Sequence, residues 1–465
     1  MADPVPPTGR GEIGPAGVER QGIGPAGTAA ARPGRDAGAT APARTGRAWL
    51  VPAWIGSRTL LLGTLLVTAA INGWSVGGVL GNWDVAHFAR IARQGYAPDP
   101  REMAFFPGLP LLMRLGSAVG LAPEITGVLL CLVGSALAAW ALARIVDGAG
   151  DAAPRGAGPA TTALRDARDA APGVSAGTWA AVAWLIAPTA VFTVVGYTEA
   201  LFCAAAFWAW ERARSERWAA AAGLAAVATT FRVSGLFLIG ALAILALSRP
   251  ADRTLPVIAR LRGVVTRLAW LLVPLAVLAA YVWYLWSLTG SWTAWFAAQQ
   301  AGWQRTFTLP WDSISATLTA VRPGGYADAN GWGWMFRYEL VSFAVGLLTT
   351  GWMLRRRRWA EAAWVGVQLL AFSFSPWLMS VNRAVLLWFP TWMIIGELVS
   401  RAAGPAAPAE ASPVAGAGAP VRAGRGRVRA GQVRVGRVVV ALAGAGSVLM
   451  MVWWAWMFAT GQWSS

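Results

Sequence analysis

The chain has 465 residues, 56% of them hydrophobic and only 13% charged, with a net charge of +17 carried entirely by arginine. Its 29 tryptophans and mean hydropathy of +0.49 exceed what a soluble core hides, which excludes a soluble globular enzyme and implies a polytopic membrane protein. The arginines cluster between apolar runs and in low-complexity tails, the pattern of cytoplasmic loops rather than of a nucleic-acid surface.

Residues 1–47 are rich in Gly, Pro, Ala and Arg and repeat IGPAG at Ile13–Gly17 and Ile23–Gly27, which predicts a disordered tail. They lack the apolar core and cleavage site of a secretory signal. With Arg35, Arg44, Arg47 and Arg58 they are expected in the cytoplasm. The body, 48–400, carries apolar runs at Thr59–Leu80, Ile125–Val146, Gly177–Val195, Thr198–Trp210, Leu268–Leu288, Tyr338–Leu354, Trp359–Leu378 and Ala384–Ser400, each near the length of a membrane-crossing helix or somewhat under it. Cys131 and Cys203 lie inside apolar runs, so no disulfide framework is implied.

Two stretches need argument. The run Ala104–Leu121 holds Pro107, Pro110 and Arg114, which suits an interfacial helix in the first external loop. The run Trp218–Leu247 has arginines at both ends, and both ends ask for the cytoplasm. Two short helices meeting at Thr230-Phe231-Arg232-Val233-Ser234-Gly235 satisfy both. Residues 401–437 read as a disordered Arg-rich cytoplasmic loop, and 438–465 as a last helix, Val438–Phe458, with a short external tail. The total is about eleven crossings.

This topology sends the Arg-rich loops inside. It sends the loop around Asp84, the Tyr197-Thr198-Glu199 turn, Arg232, the long Thr289–Arg337 loop and Asn382-Arg383 to the outer face, as an active site built from several loops requires. Each feature also has a plainer role. Asp84 and Glu199 suit first-turn acids that stabilise a helix N-terminus. Asp84 on such a rigid element also meets what a general base needs. His87, three residues on, shares its helical face and suits orientation of a substrate. Arg232 at a membrane bend asks for an anion, either a phosphate gripped by its guanidinium or Asp84 or Glu199 as an internal partner. Arg383 is a second phosphate ligand or a snorkelling side chain. The tryptophans of the Thr289–Arg337 loop read as an aromatic belt, with one or two able to stack on a sugar.

The elements WD-x-x-HF-x-x-IA-x-x-GY and AFFP-x-x-P (Trp83 to Pro110), PTAVF…YTEALF (Pro188 to Phe202) and FR-x-SG (Phe231 to Gly235) occur in that order. Together they resemble the PIG-V type of GPI mannosyltransferase and its bacterial relatives, with SVNRAVLLWFP (Ser380 to Pro390) a looser match to that family's late Arg-containing motif. The resemblance covers roughly Thr59 to Ser400. It implies an all-α GT-C-like membrane bundle that moves mannose, with inversion, from a polyprenyl-phosphate carrier to an acceptor on the extracytoplasmic face of the cell membrane. The acceptor is a lipid-linked glycan, a glycolipid or a protein. On this expectation Asp84 is the base, His87 or Glu199 orients the acceptor, Arg232 and Arg383 hold the phosphate, and Tyr197 and Asn382 line the substrate site. The expected partners are the carrier, the acceptor and membrane lipids, with no nucleic acid, metal or cofactor. The competing reading is a transporter or scramblase for a lipid-linked sugar, against which stand the nearly pure apolar midplane stretches.

Overall fold

The computed structural model describes residues 46–97, 99–150, 174–249, 252, 254–324, 332–404 and 423–462. Among them there is no strand, and the chain is an all-α, multi-pass membrane bundle. The expected tail and loop disorder falls mainly on residues 1–45 and 405–422, outside the described residues. Gly46–Trp49 forms a short 3₁₀ turn, and the last helix starts at Ala423 rather than Val438.

Among the described residues four stretches are long and apolar enough to cross a membrane: Leu50–Asn72, Pro123–Gly148, Val257–Thr289 and Arg434–Ala459. The bent pair Val381–Leu387 and Phe389–Ala403, kinked by 70°, makes a fifth. The count by length is below the eleven expected because several apolar runs are broken into short helices, and the breaks carry the polar residues. Trp218–Thr229 and Ser234–Leu247 are two such helices, parted at residues 230–233, within the expected Thr230–Gly235 bend. The segment expected at the interface contains a helix at Gly108–Ala118, and the loop expected on the outer face contains helices Ala294–Trp303 and Pro310–Ala320.

Two expectations are corrected. The first long helix, α1, runs Leu50–Asn72 instead of beginning at Thr59, so Arg58 lies inside it and is buried rather than flanking it. Arg58 donates to Leu185 O at 2.7 Å and Thr193 Oγ1 at 2.8 Å. The helix expected to reach Val195 ends at Leu185. Pro188 lacks the N–H that would continue it, and the Arg58 guanidinium meets the carbonyl that this ending frees.

Close helix approach in the middle of the bundle comes from small side chains. Helix Glu199–Arg214 packs on helix Pro123–Gly150 through a run of alanines, and a Cβ on Gly134 would come within 3.1 Å of the Ala200 backbone. In a bilayer such van der Waals fit, rather than burial from water, holds helices together.

Non-helical backbone at this depth needs partners for its carbonyls. The break at Val385–Leu387 has three: Trp392 Nε1 donates to Val385 O (3.0 Å), Trp184 Nε1 to Leu386 O (2.9 Å) and Trp364 Nε1 to Leu387 O (3.0 Å). These tryptophans are buried structural donors, not belt residues. Trp364→Phe keeps an aromatic ring stacked on Phe202 but removes the donor. It is expected to lower stability by about 1–3 kcal/mol, read as a fall in Tm of the purified protein in detergent; an unchanged Tm shows that the break does not depend on that bond.

Candidate functional site

After the five-residue helix Val76–Leu80 (α2), the short helix Asp84–Gln94 (α3) begins with Asp84 at its first position, after Trp83 at a φ of 57°. A tryptophan in the left-handed region is strained. The turn is held by Asn82, whose Nδ2 donates to Phe458 O (2.9 Å), and by the Asp84 amide, which donates to the Tyr197 hydroxyl (3.2 Å). Tyr197 is buried against Phe192, Phe88 and Phe458, so its ring fixes where α3 starts.

The Asp84 side chain remains partly exposed, and its Oδ2 accepts from Arg383 Nη1 at 2.7 Å. Arg383 sits on the four-residue helix Val381–Ala384, next to the Trp-supported break. Its guanidinium lies over the rings of Tyr197 and Phe192, 5.1 and 5.5 Å from their centroids, and its Nε is 3.6 Å from Glu199 Oε1. Glu199, fully buried at the start of its helix, accepts at Oε1 from Arg232 Nη1 at 2.7 Å. Arg232 also donates to Thr198 Oγ1 at 2.9 Å. Asp84, Arg383, Glu199 and Arg232 thus form one alternating chain of charges, drawn from four separate segments. Arg232 has the internal partner that was one of its two expected fates, and Arg383, its side chain 11% exposed, turns its guanidinium to Asp84.

His87 belongs to a neighbouring group. Its Nδ1 lies 3.0 Å from Glu102 Oε2, Arg90 Nη1 donates to Glu102 Oε1 at 2.5 Å, and the ring stacks on Phe105 with Trp303 tilted at 5.6 Å. Because an ionised carboxylate only accepts, the His87 tautomer facing it carries its proton on Nδ1. In the same loop Asp99 is held below the usual carboxylate range by hydrogen bonds from Arg101. Asn382 is buried beside Arg383, with its Nδ2 shielded and without a hydrogen bond. Its amide donates to Glu339 Oε2 (3.1 Å), its Oδ1 accepts from Ser342 (2.8 Å), and its carbonyl accepts from Thr189 (3.3 Å). Glu339 also accepts from the Ser380 amide at 2.8 Å, so it pins both ends of the turn that presents Arg383.

The loop after α3 is held by one donor from the first sequence motif, Tyr96, and two from outside the motifs, Tyr281 and Trp295. Tyr96 and Tyr281 hydroxyls donate to Phe105 O (2.9 and 2.8 Å), and Trp295 Nε1 donates to Ala104 O (3.1 Å). Gly108 meets the bend: its amide donates to Thr230 O at 2.7 Å, and a Cβ there would fall 2.5 Å from Thr230 Oγ1. A cavity of about 440 Å³ opens beside this contact, lined by Tyr96, Pro107, Leu111, Arg114, Thr230 and Tyr281 among others. None of the four ion-paired residues lines it.

Arg305 is a member of the site that the sequence reading passes over. It follows Trp303, which packs on His87 and Phe105, and Gln304, whose φ of 52° turns the chain out of its helix. Its guanidinium lies within the electrostatic reach of Arg383, Asp84, Glu339 and Arg232, and burial pushes it down to about 10. The available signal was that Arg305 is the one charged residue between Arg267 and Asp312. Among the described residues no three His, Cys, Asp or Glu side chains gather to hold a metal ion.

No family model matches the chain. Over 173 residues it is 32% identical to GPI alpha-1,6-mannosyltransferase 2 of Mus musculus, a stretch covering 35% of this chain and 31% of that protein; the chain therefore spans about a third of that relative's length. Among solved structures, ArnT from Cupriavidus metallidurans bound to undecaprenyl phosphate is matched over 89% of this chain and 76% of that one, with 14% identity and a TM-score of 0.44. The likeness to the GPI mannosyltransferases first read from the motifs is thus met again in a curated mannosyltransferase.

Proposed function

We propose that the chain is an inverting membrane glycosyltransferase of the GT-C type. It moves a mannosyl residue from a polyprenyl-phosphate carrier to an acceptor hydroxyl on the extracytoplasmic face of the cell membrane. The observation that carries this reading is the meeting of Asp84, Glu199, Arg232 and Arg383 in one chain of charges, with Asp84 its more exposed carboxylate end. Support also comes from the local identity to a mannosyltransferase.

The acceptor oxygen attacks C1 of the sugar as the bond from C1 to the phosphate oxygen breaks. Asp84 takes the acceptor proton. The leaving polyprenyl phosphate gains a negative charge, which guanidinium groups fixed before the reaction stabilise without reorganising. Arg383 joins the two ends of this process, touching the base and approaching Glu199. His87, held by Glu102 and stacked on Phe105, borders the acceptor side. The apolar cavity beside Thr230, two residues from Arg232, suits the first isoprenes of the carrier. The acceptor is a lipid-linked glycan, a glycolipid or a protein.

Asp84→Asn keeps the size of the side chain and removes the base. In purified protein given radiolabelled polyprenyl-phosphate mannose and acceptor membranes, the transfer rate is expected to fall by about 10²–10⁴-fold with Tm preserved. An active Asp84→Asn variant removes the base assignment. Arg383→Lys keeps the charge but not the planar fork that reaches Asp84 and Ser380 at once. It is expected to lower kcat by about tenfold or more while the donor KM changes less. A change confined to KM would place Arg383 in ground-state binding.

A further inference from the structure

Three arginines meet at the site, and their partners differ. Arg232 is paired with Glu199, and Arg383 with Asp84 and, at longer range, Glu199. Glu339 is engaged by the amides of Ser380 and Asn382. Arg305 has no carboxylate within ion-pairing distance among the described residues, and its Nε is shielded from solvent without a hydrogen-bond partner. Arg383 Nε and Glu199 Oε2 are likewise shielded and without a hydrogen bond.

Arg305 is partly exposed, yet a cation whose Nε is shut away from water without a partner is costly, and charges withdrawn from water are as a rule paired. Arg305 is not loosely placed. Trp303 packs on both His87 and Phe105, the Arg305 amide donates to Gln299 O, and three residues on the Thr308 amide donates to Phe374 O while Phe307 stacks on Phe374. The fold therefore holds a guanidinium beside two others that are already neutralised and leaves it to be matched by something outside the protein.

Resting on the reading that the chain is a glycosyltransferase, we propose that Arg305 is the residue that binds the donor's phosphate. Arg232 then acts as a positioning residue that holds Glu199. The ligand chemistry is a phosphate ester on a lipid. As a monoanionic diester it matches the one unneutralised guanidinium, and as the departing monoester it gains a second charge that the nearby Arg383 is placed to share.

The test uses the full chain in lipid nanodiscs with a fluorescent polyprenyl monophosphate as probe. Arg305→Gln is expected to weaken binding by about tenfold to a hundredfold, and Arg305→Lys to recover part of it. Arg262→Gln, an exposed arginine on a distant helix, is expected to bind as wild type. Because the replaced charge is unpaired, Arg305→Gln should not lower Tm. A lowered Tm with unchanged affinity would mean a structural role and overturn the assignment, as would wild-type affinity in Arg305→Gln. Inorganic phosphate is expected not to compete; competition that displaces the probe would assign the site to free phosphate instead of the carrier. If wild-type protein binds the probe but transfers no sugar, the glycosyltransferase reading fails while Arg305 stands as a lipid-phosphate ligand. If wild-type protein does not bind it, both fail.

Discussion

Everything polar in this bundle is organised by the need to neutralise charge where water is scarce. Arg383 Nη1 and Asp84 Oδ2 come from segments 299 residues apart and meet at 2.7 Å. Neither can be moved far without stranding the other, because a lone charge at such depth costs several kcal/mol. Glu199 draws the bend at Arg232 toward the same point. The convergence of four segments is therefore a requirement of electrostatics that the apolar surfaces, which fit in many ways, would not impose alone.

The second requirement follows from the first. A side chain reaches the middle of such a cluster from a helix end or a break more readily than from an unbroken helix, and each break frees backbone groups. The protein answers with indole and phenol donors: Trp184, Trp364 and Trp392 at the turn beside Arg383, and Tyr96, Tyr281 and Trp295 at the loop after α3. Large amphipathic rings fill space and supply one directed N–H or O–H each, so they solve packing and polar satisfaction together. Much of the chain's wealth of tryptophan belongs to this architecture.

How far the sequence revealed this depends on the range of the forces involved. The bend at residues 230–233 was legible because both arginine-bearing flanks ask for one side, and the helix starting at Asp84 because acid and apolar spacing are local signals. The family likeness was legible from motif order. The end of a helix at Leu185 was not, since it depends on Arg58 arriving from another helix, and Arg58 itself looked like a flanking charge. Asn382 was singled out because it adjoins Arg383; that its amide, Oδ1 and carbonyl meet Glu339, Ser342 and Thr189 while its Nδ2 is left without a hydrogen bond is visible only in the fold. Arg305 was hidden among tryptophans and glutamines whose composition speaks of an interface, and only the folded loop shows what it stands beside.

The contact between Gly108 and Thr230 has one more implication. A single amide hydrogen bond of 2.7 Å, with no room for a methyl group, staples the helix Gly108–Ala118 to the bend, at the rim of the 440 Å³ cavity. The two walls cannot spread there, so a guest must suit the gauge of the slot instead of prising it wider. The width of the cavity at this rim is thus set by backbone against backbone rather than by side chains free to turn aside.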